Sequence, residues 1–325
     1  MLKIGSKIDE VRIDGRLDWM RRDLDHFCDL GLGAVEIPVH GLDAIVHGRL
    51  NRARTLSIRN ILHSYDFAYS VHAPNPLNLM DRNHGALHYQ VFRASLEFAS
   101  EIGSGIVVYH AGRYVPEEEF AIPGHVSLSE KDLASLLDRE ACAIRDLADE
   151  FPDVYICIEN ARPYLYHSPY CYGESPEALR AQVLKISRPN VRINLDTGHL
   201  YMAAKFYGFD PVEAAIDMAP LIAHAHVHDN FGLAIHHNEK QQTHLVPFGR
   251  GDAHMPVGWG EIPIEAILRT FADSYKGLMI TELRGRYFEY TGESVANLKK
   301  ILENLESEST LANAGLGVCE VRNGR

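Results

Sequence analysis

Eight short β-type runs alternate with stretches of helical periodicity along this chain, and few folds accept that pattern. The runs are KIGSKI from Lys3, AVEIPV from Ala34, AYSVHA from Ala68, GIVVYHAG from Gly105, VYICIEN from Val154, VRINLDTGH from Val191, IAHAHVHDN from Ile222 and GLMITELRG from Gly277. Between them apolar residues recur at helical spacing, as in Leu133, Leu136, Leu137, Ala141, Ile144 and Leu147. Cap signals open several of these stretches: Ser129 before Glu130, and Ser175 followed by Pro176 and Glu177. Strands that alternate with helices pair in parallel, and eight such units predict a closed (β/α)8 barrel, an α/β fold of one domain. The length of 325 residues suits one barrel with loops and tails. No Gly-x-Gly-x-x-Gly follows the first run, which argues against an open dinucleotide-binding sheet. The barrel is expected over residues 1–306, and the small, polar residues 307–325 as a flexible tail.

Two connections are long, about Tyr114 to Leu128 after the fourth run and about Asn230 to Ile262 after the seventh. Loops of that length are usually functional, and loops that follow barrel strands lie on the catalytic face. In the second loop His236 and His237 are expected to face solvent. The net charge is −12 with His neutral, so general attraction to nucleic acid or to an anionic membrane is not expected. Five Cys without a C-x-x-C pair predict neither a disulfide framework nor a zinc ribbon. The N-terminus MLKIGSKIDE lacks the apolar segment of a secretory signal, and no run is long enough to span a membrane. A cytoplasmic protein is therefore expected.

The chemistry collects where the runs end. His72 ends the third, His110 the fourth and Glu159 the fifth. Asp196 ends the sixth, with His199 following. The seventh carries His224, His226, His228 and Asp229, and the eighth ends in Glu282. Asp252 and His254 lie in the long loop after the seventh run. Strand ends of a barrel converge on one mouth. Any one of these groups alone could be a hydrogen-bonded rim residue or a salt-bridge partner. So many ionisable groups in one small volume are costly without a cation. Mixed nitrogen and oxygen donors suit zinc, manganese or iron better than calcium. The 18 His of the chain fit that reading.

At these residues the sequence resembles the xylose isomerase-like barrels, which include endonuclease IV, sugar and sugar phosphate isomerases and epimerases, and inosose dehydratases. The motifs are SVHAPNPLNL, VVYHAG, ICIENA, NLDTGHL, HVHDN, GDAHMPVGWGEI and ITELRG, in that order from strand to strand. The resemblance to the endonuclease branch implies nine metal ligands: His72, His110, Glu159, Asp196, His199, His226, Asp252, His254 and Glu282. The resemblance to the epimerase branch implies a single metal on Glu159, Asp196, His226 and Glu282, with Glu159 and Glu282 as the catalytic acid and base. One to three divalent ions per chain follow. The chain departs from the endonuclease pattern at Ala111-Gly112-Arg113, at Ala161-Arg162-Pro163-Tyr164, and at Ala73-Pro74-Asn75-Pro76, where no DNA-probing aromatic stands.

Two reactions follow from one nest of ligands. The first is isomerisation, epimerisation or a related elimination on a sugar or sugar phosphate through an enediolate, with Glu36, His228 and Arg284 as substrate-binding residues. The second is multinuclear zinc phosphodiester hydrolysis, AP endonuclease action included, for which His72, His110, Asp252 and His254 argue. Arg113, Arg162, Arg250, Arg284 and Arg286 could hold a phosphate there. A non-catalytic metal-binding barrel ranks last, because two glutamates across an open mouth suit proton transfer. The expected partner is a small sugar-type molecule; nucleic acid ranks below it, no membrane contact is expected, and homo-oligomers are common among such barrels.

Overall fold

Each of the eight β-type runs forms a strand in the computed structural model, which describes residues 2–120, 128–240 and 243–313. The strands are β1 (Lys3–Lys7), β2 (Ala34–Pro38), β3 (Ala68–His72), β4 (Ile106–His110), β5 (Tyr155–Glu159), β6 (Val191–Asp196), β7 (Ile222–His226) and β8 (Leu278–Thr281). All neighbours pair in parallel in chain order, and Lys3–Ser6 of β1 align with Leu278–Thr281 of β8 to close the barrel. Closure buries both faces of the sheet, which is why β2 is buried at every position. Helices between the strands cover the outside. Phe92, on the helix Gly85–Ile102, stacks on Tyr109 of β4 at 4.9 Å between ring centres. The helix Thr291–Asn313 closes the described chain and runs past Ser307, and residues 314–325 lie outside the described residues. Among the described residues no helix is long and apolar enough to cross a membrane.

Local chemistry starts these helices. Ser129 and Asp132 form a capping box at the head of the helix Glu130–Glu150. Ser175 caps the helix Pro176–Ile186, whose first residue is proline. Asp196 caps the helix Thr197–Tyr207 by accepting from the His199 amide at 2.7 Å.

The apolar stripe of the helix Glu130–Glu150 contains a buried charge that periodicity did not suggest. Glu140 lies between Leu136 and Ile144 and accepts from Tyr109 Oη (2.9 Å), the Gly112 amide (2.9 Å) and Gln182 Nε2 (3.0 Å). These bonds tie the helix to the turn that follows His110. Burial raises the Glu140 pKa to about 7, against the opposing pull of its donors. A carboxyl raised in the folded state stabilises the fold fully below its ordinary value of 4.5, and that stability is lost as pH rises through about 7. The folded protein is therefore expected to lose on the order of 3 kcal/mol from this group between pH 4.5 and 7. Chemical denaturation of the wild type and of Glu140→Gln across that range checks it; parallel pH curves would exclude Glu140 as the source.

Candidate active site

The C-terminal ends of the strands deliver their side chains to one mouth, as alternation along extended backbone requires. Among the described residues five overlapping groups form there, two of which bring in Glu36 (with His72, His226 and Glu282) and His228 (with His254 and Glu282). Ligand atoms of Glu159, Asp196, His226 and Glu282 lie within 4.8 Å of one another, as do those of His72, His110 and Glu159, and those of His199, Asp252 and His254. The nine residues named by the resemblance are thus brought together, and Glu159 belongs to two groups. His226 is central: Nδ1 lies 3.2 Å from Glu282 Oε2, 3.4 Å from Glu159 Oε2 and 3.9 Å from Asp196 Oδ2.

Three carboxylates this close repel one another, and all are buried. Burial alone would raise each pKa, yet the surrounding imidazoles, with Lys7 beside Glu282, hold all three below their ordinary values. Conversely, burial would lower the pKa of His199 and His226, but Asp196 and Asp252 raise the first, and Glu36 and Glu282 the second. His110 goes the other way. Burial pushes its pKa down to about 3, so its ring is neutral with a lone pair free to ligate. Glu159 Oε1 and Asp252 Oδ1 are buried without a hydrogen-bond partner. Carboxylate oxygens left open among imidazole nitrogens fit a divalent cation of the zinc, manganese or iron type.

Two residues expected to bind substrate lie elsewhere. Glu36 is wholly buried under the ligand ring. Its Oε2 accepts from Ser70 Oγ and from His224 Nε2, each at 2.9 Å, and its Oε1 lies 2.9 Å from His226 Nε2 as an ion-pair contact. That contact leaves His226 Nδ1 toward the carboxylates, and Glu36 itself belongs to a candidate ligand group with His72, His226 and Glu282. His228 is equally buried and places Nε2 3.0 Å from Asp196 Oδ2, so it orients that carboxylate. Its ring also stacks on His254 at 3.9 Å. Glycine is required at 198 because a Cβ there would come within 2.1 Å of the His228 ring. Arg284, the third expected binder, does border the cavity. Asp229 accepts from the amides of Asn230, Gly258 and Ile262 and serves the long loop, not the ligand groups. The exchange of Glu36 for Gln is expected to weaken metal affinity by roughly 10–100-fold, because one imidazole hydrogen bond loses its charged acceptor. Competition with a chromophoric chelator measures it, and an unchanged affinity would remove Glu36 from this role.

Lys7, at the end of β1, also reaches the mouth, although an ammonium is no metal donor. Its ammonium donates to Glu282 Oε1 at 2.8 Å and lies 3.7 Å from Glu10. Burial would lower its pKa, but Glu282 and Glu10 raise it, so it stays charged. Asn194 Nδ2 donates to Glu159 Oε2 at 3.0 Å. Asn160 joins the ends of β5 and β6 through two bonds with the Asp196 backbone, at 2.8 and 2.9 Å. Arg162 reaches the third group: Nε lies 3.4 Å from Asp252 Oδ2 and Nη1 lies 3.2 Å from His199 Nε2.

A cavity of about 540 Å³ opens over Glu159, His199, Asp252, His254 and Glu282. Both long loops border it. Residues 121–127 of the first lie outside the described residues, as do 241 and 242 of the second. Glu117 of the first loop receives His237 Nε2 at 3.2 Å and pairs with Lys240 of the second. Burial would raise the Glu117 pKa, but Arg162 and Lys240 hold it at about 2. His236 stacks on Tyr166 and His237 packs edge-on against Phe120. These two histidines therefore join loops instead of facing solvent, while His244 is exposed.

Residues 24–307 match the family described as xylose isomerase-like TIM barrel. An uncharacterized protein of Methanocaldococcus jannaschii is 22% identical over 252 residues, 74% of this chain and 80% of that protein. Among solved structures, a D-tagatose 3-epimerase-like protein aligns with a TM-score of 0.68 at 21% identity, covering 95% of this chain and 100% of that one. An L-ribulose 3-epimerase aligns at 0.67 with 13% identity and full coverage of both chains. A 3-keto-D-glucoside 4-epimerase from E. coli aligns at 0.64 with 15% identity, over 92% of this chain and 100% of that one. At these identities the structures share the fold.

Proposed function

The chain belongs to the xylose isomerase-like TIM barrel family, and from that premise we propose that it is a divalent-metal-dependent isomerase or epimerase of a sugar-type substrate. The observation that carries this reading is the pairing of Glu159 and Glu282. They come from opposite parts of the barrel wall, share one ligand group with Asp196 and His226, and border the same cavity. Glu159, Asp196, His226 and Glu282 would hold the metal. A divalent cation supplies Lewis acidity there, stabilising negative charge as it develops on substrate oxygen.

The protein's own groups account for the remaining steps. One glutamate removes the proton from the carbon next to the carbonyl, and the other returns a proton to the resulting enediolate. Return to the opposite face of that carbon inverts it; return to the neighbouring carbon exchanges carbonyl and hydroxyl. Lys7 holds one oxygen of Glu282, which leaves Oε2 turned toward His226. Asn194 holds Oε2 of Glu159, which leaves Oε1 without a hydrogen-bond partner. The cavity walls contributed by the two long loops limit water at the reacting carbons.

Incubation with a panel of ketoses in deuterium oxide tests the reading. Metal-dependent deuterium at C2, C3 or C4, seen by proton NMR and absent in Glu159→Gln, is the expected result. No exchange with any ketose, together with metal-dependent turnover of an aryl phosphodiester, would replace it with the phosphoesterase reading. The flanking groups around His72, His110 and His254 favour that second reading. Arg162 weighs against it, because a permanent guanidinium charge beside His199 and Asp252 already neutralises the third group. A single divalent ion per chain is therefore expected by elemental analysis, with the same content in His254→Ala. Three ions, falling in that variant, would favour phosphoester chemistry.

A further inference from the structure

The turn after β8 presents two guanidinium groups to the cavity that no described carboxylate neutralises. Lys7, Arg113, Arg162 and Lys240 also border the cavity, and each has an acidic partner: Glu282, Glu117, Asp252 and Glu117 respectively. Among the described residues Arg284 and Arg286 form no ion pair. Arg284 donates through Nη2 to the carbonyl oxygens of Asp252 (2.5 Å) and Lys240 (3.4 Å). Those bonds fix the side chain without cancelling its charge. Arg286 is exposed, with its guanidinium carbon 5.3 Å from the Tyr287 ring centre. Asp9 borders the same cavity, but it accepts from the Arg12 and Gly285 amides and pairs with neither arginine.

The backbone places these charges beside the reacting groups. Arg284 follows Glu282 by two residues and is itself extended (φ −67°, ψ 148°). Both residues border the cavity. Leu283 between them turns the other way, into a small apolar cluster with Met255 and Tyr287. Residue 286 then returns a second guanidinium to the cavity. In a chain of net charge −12 this pair does not follow from a generally basic surface. Guanidinium groups that border one cavity match the oxygens of a phosphate or carboxylate.

We propose that Arg284 and Arg286 form an anion subsite, so that the substrate is an acidic sugar, bearing a phosphate ester or a carboxylate away from the carbons where protons move. The sugar skeleton rests on the function proposed above; the anion subsite does not.

The test titrates metal-loaded full-length protein with inorganic phosphate by calorimetry, for the wild type, Arg286→Met, Arg286→Lys and Arg284→Met/Arg286→Met, with metal content measured in each. Phosphate affinity is expected to fall roughly ten-fold or more in Arg286→Met and further in the double variant, with part retained by Lys, as for loss of charge-assisted bonds. Arg286 is exposed, so its replacement leaves the fold intact even where the double variant does not fold. Equal affinity in wild type and Arg286→Met would overturn the proposal, as would wild type that binds no phosphate. Competition by fructose 6-phosphate and by a hexuronate then separates ester from carboxylate. Arginine-dependent phosphate binding without deuterium exchange on any sugar would retain the subsite and reject the isomerase. Exchange on neutral ketoses with arginine-independent phosphate binding would do the reverse.

Discussion

Replacement of Glu282 by Gln is expected to reduce turnover by about four orders of magnitude, the upper range for removal of a general acid or base. The change keeps the shape of the side chain and removes its charge. That charge belongs to a carboxylate of the central group bordering the cavity, and on the proposed function it is also one of the two proton carriers. It also leaves the Lys7 ammonium, now 2.8 Å from Glu282, buried without its closest partner. Breaking a buried pair on one side costs about 3–5 kcal/mol, so some loss of stability is expected as well. Lys7→Met/Glu282→Gln separates the effects: it should recover stability relative to Glu282→Gln and recover no activity. The measurements are steady-state kinetics on the substrate found by deuterium exchange, metal content, and melting temperature. Activity within ten-fold of wild type in a metal-loaded Glu282→Gln protein would exclude Glu282 from proton transfer.

Metal removal should lower thermal stability by a comparable margin on its own scale. Without a cation the central carboxylates depend on protonated imidazoles, since His199 and His226 both have raised pKa values among their acidic neighbours. A bound cation displaces those protons and takes over the neutralisation. A ligand at a thousand times its dissociation constant stabilises by about 4 kcal/mol. For a chain of this size the melting temperature should rise by roughly 6 °C when zinc or manganese is restored to chelated protein. The sign of the pH effect follows from the raised histidine pKa values. Protons compete with metal more strongly as pH falls, so the gain should shrink toward acid pH and reach its full size in mildly alkaline buffer. Identical melting curves for stripped and reloaded protein at pH 8 would show that the nest does not hold a cation.

The sequence was most informative where one physical rule governs both local and global structure. Residue types alternate along a strand, and parallel strands of a barrel end on one face, so the order of runs and the residues at their ends already located His72, His110, Glu159, Asp196, His226 and Glu282. The GDAH segment contributed Asp252 and His254 because a loop of that length after a barrel strand has the mouth to cover. Lys7 obeys the same rule at the end of β1, although an ammonium is no metal donor.

What the sequence did not carry was how those side chains depend on one another. Glu36 and His228 carry the same types of side chain as Asp196 and His226, are as deeply buried and do not border the cavity, and only the folded structure shows that. Glu140 stands in a helical stripe that reads as apolar, and its donors come from β4, from the turn after it and from another helix. Arg162 is distant in sequence from Asp252, and Glu117 from His237 and Lys240. The sequence by itself determined the barrel and the chemical content of its mouth, because both arise from patterns local to each strand. Tertiary structure alone decided which carboxylates face open space, which are held by a histidine, and which arginines remain without a counter-charge, because those outcomes depend on distances between segments that local periodicity does not encode.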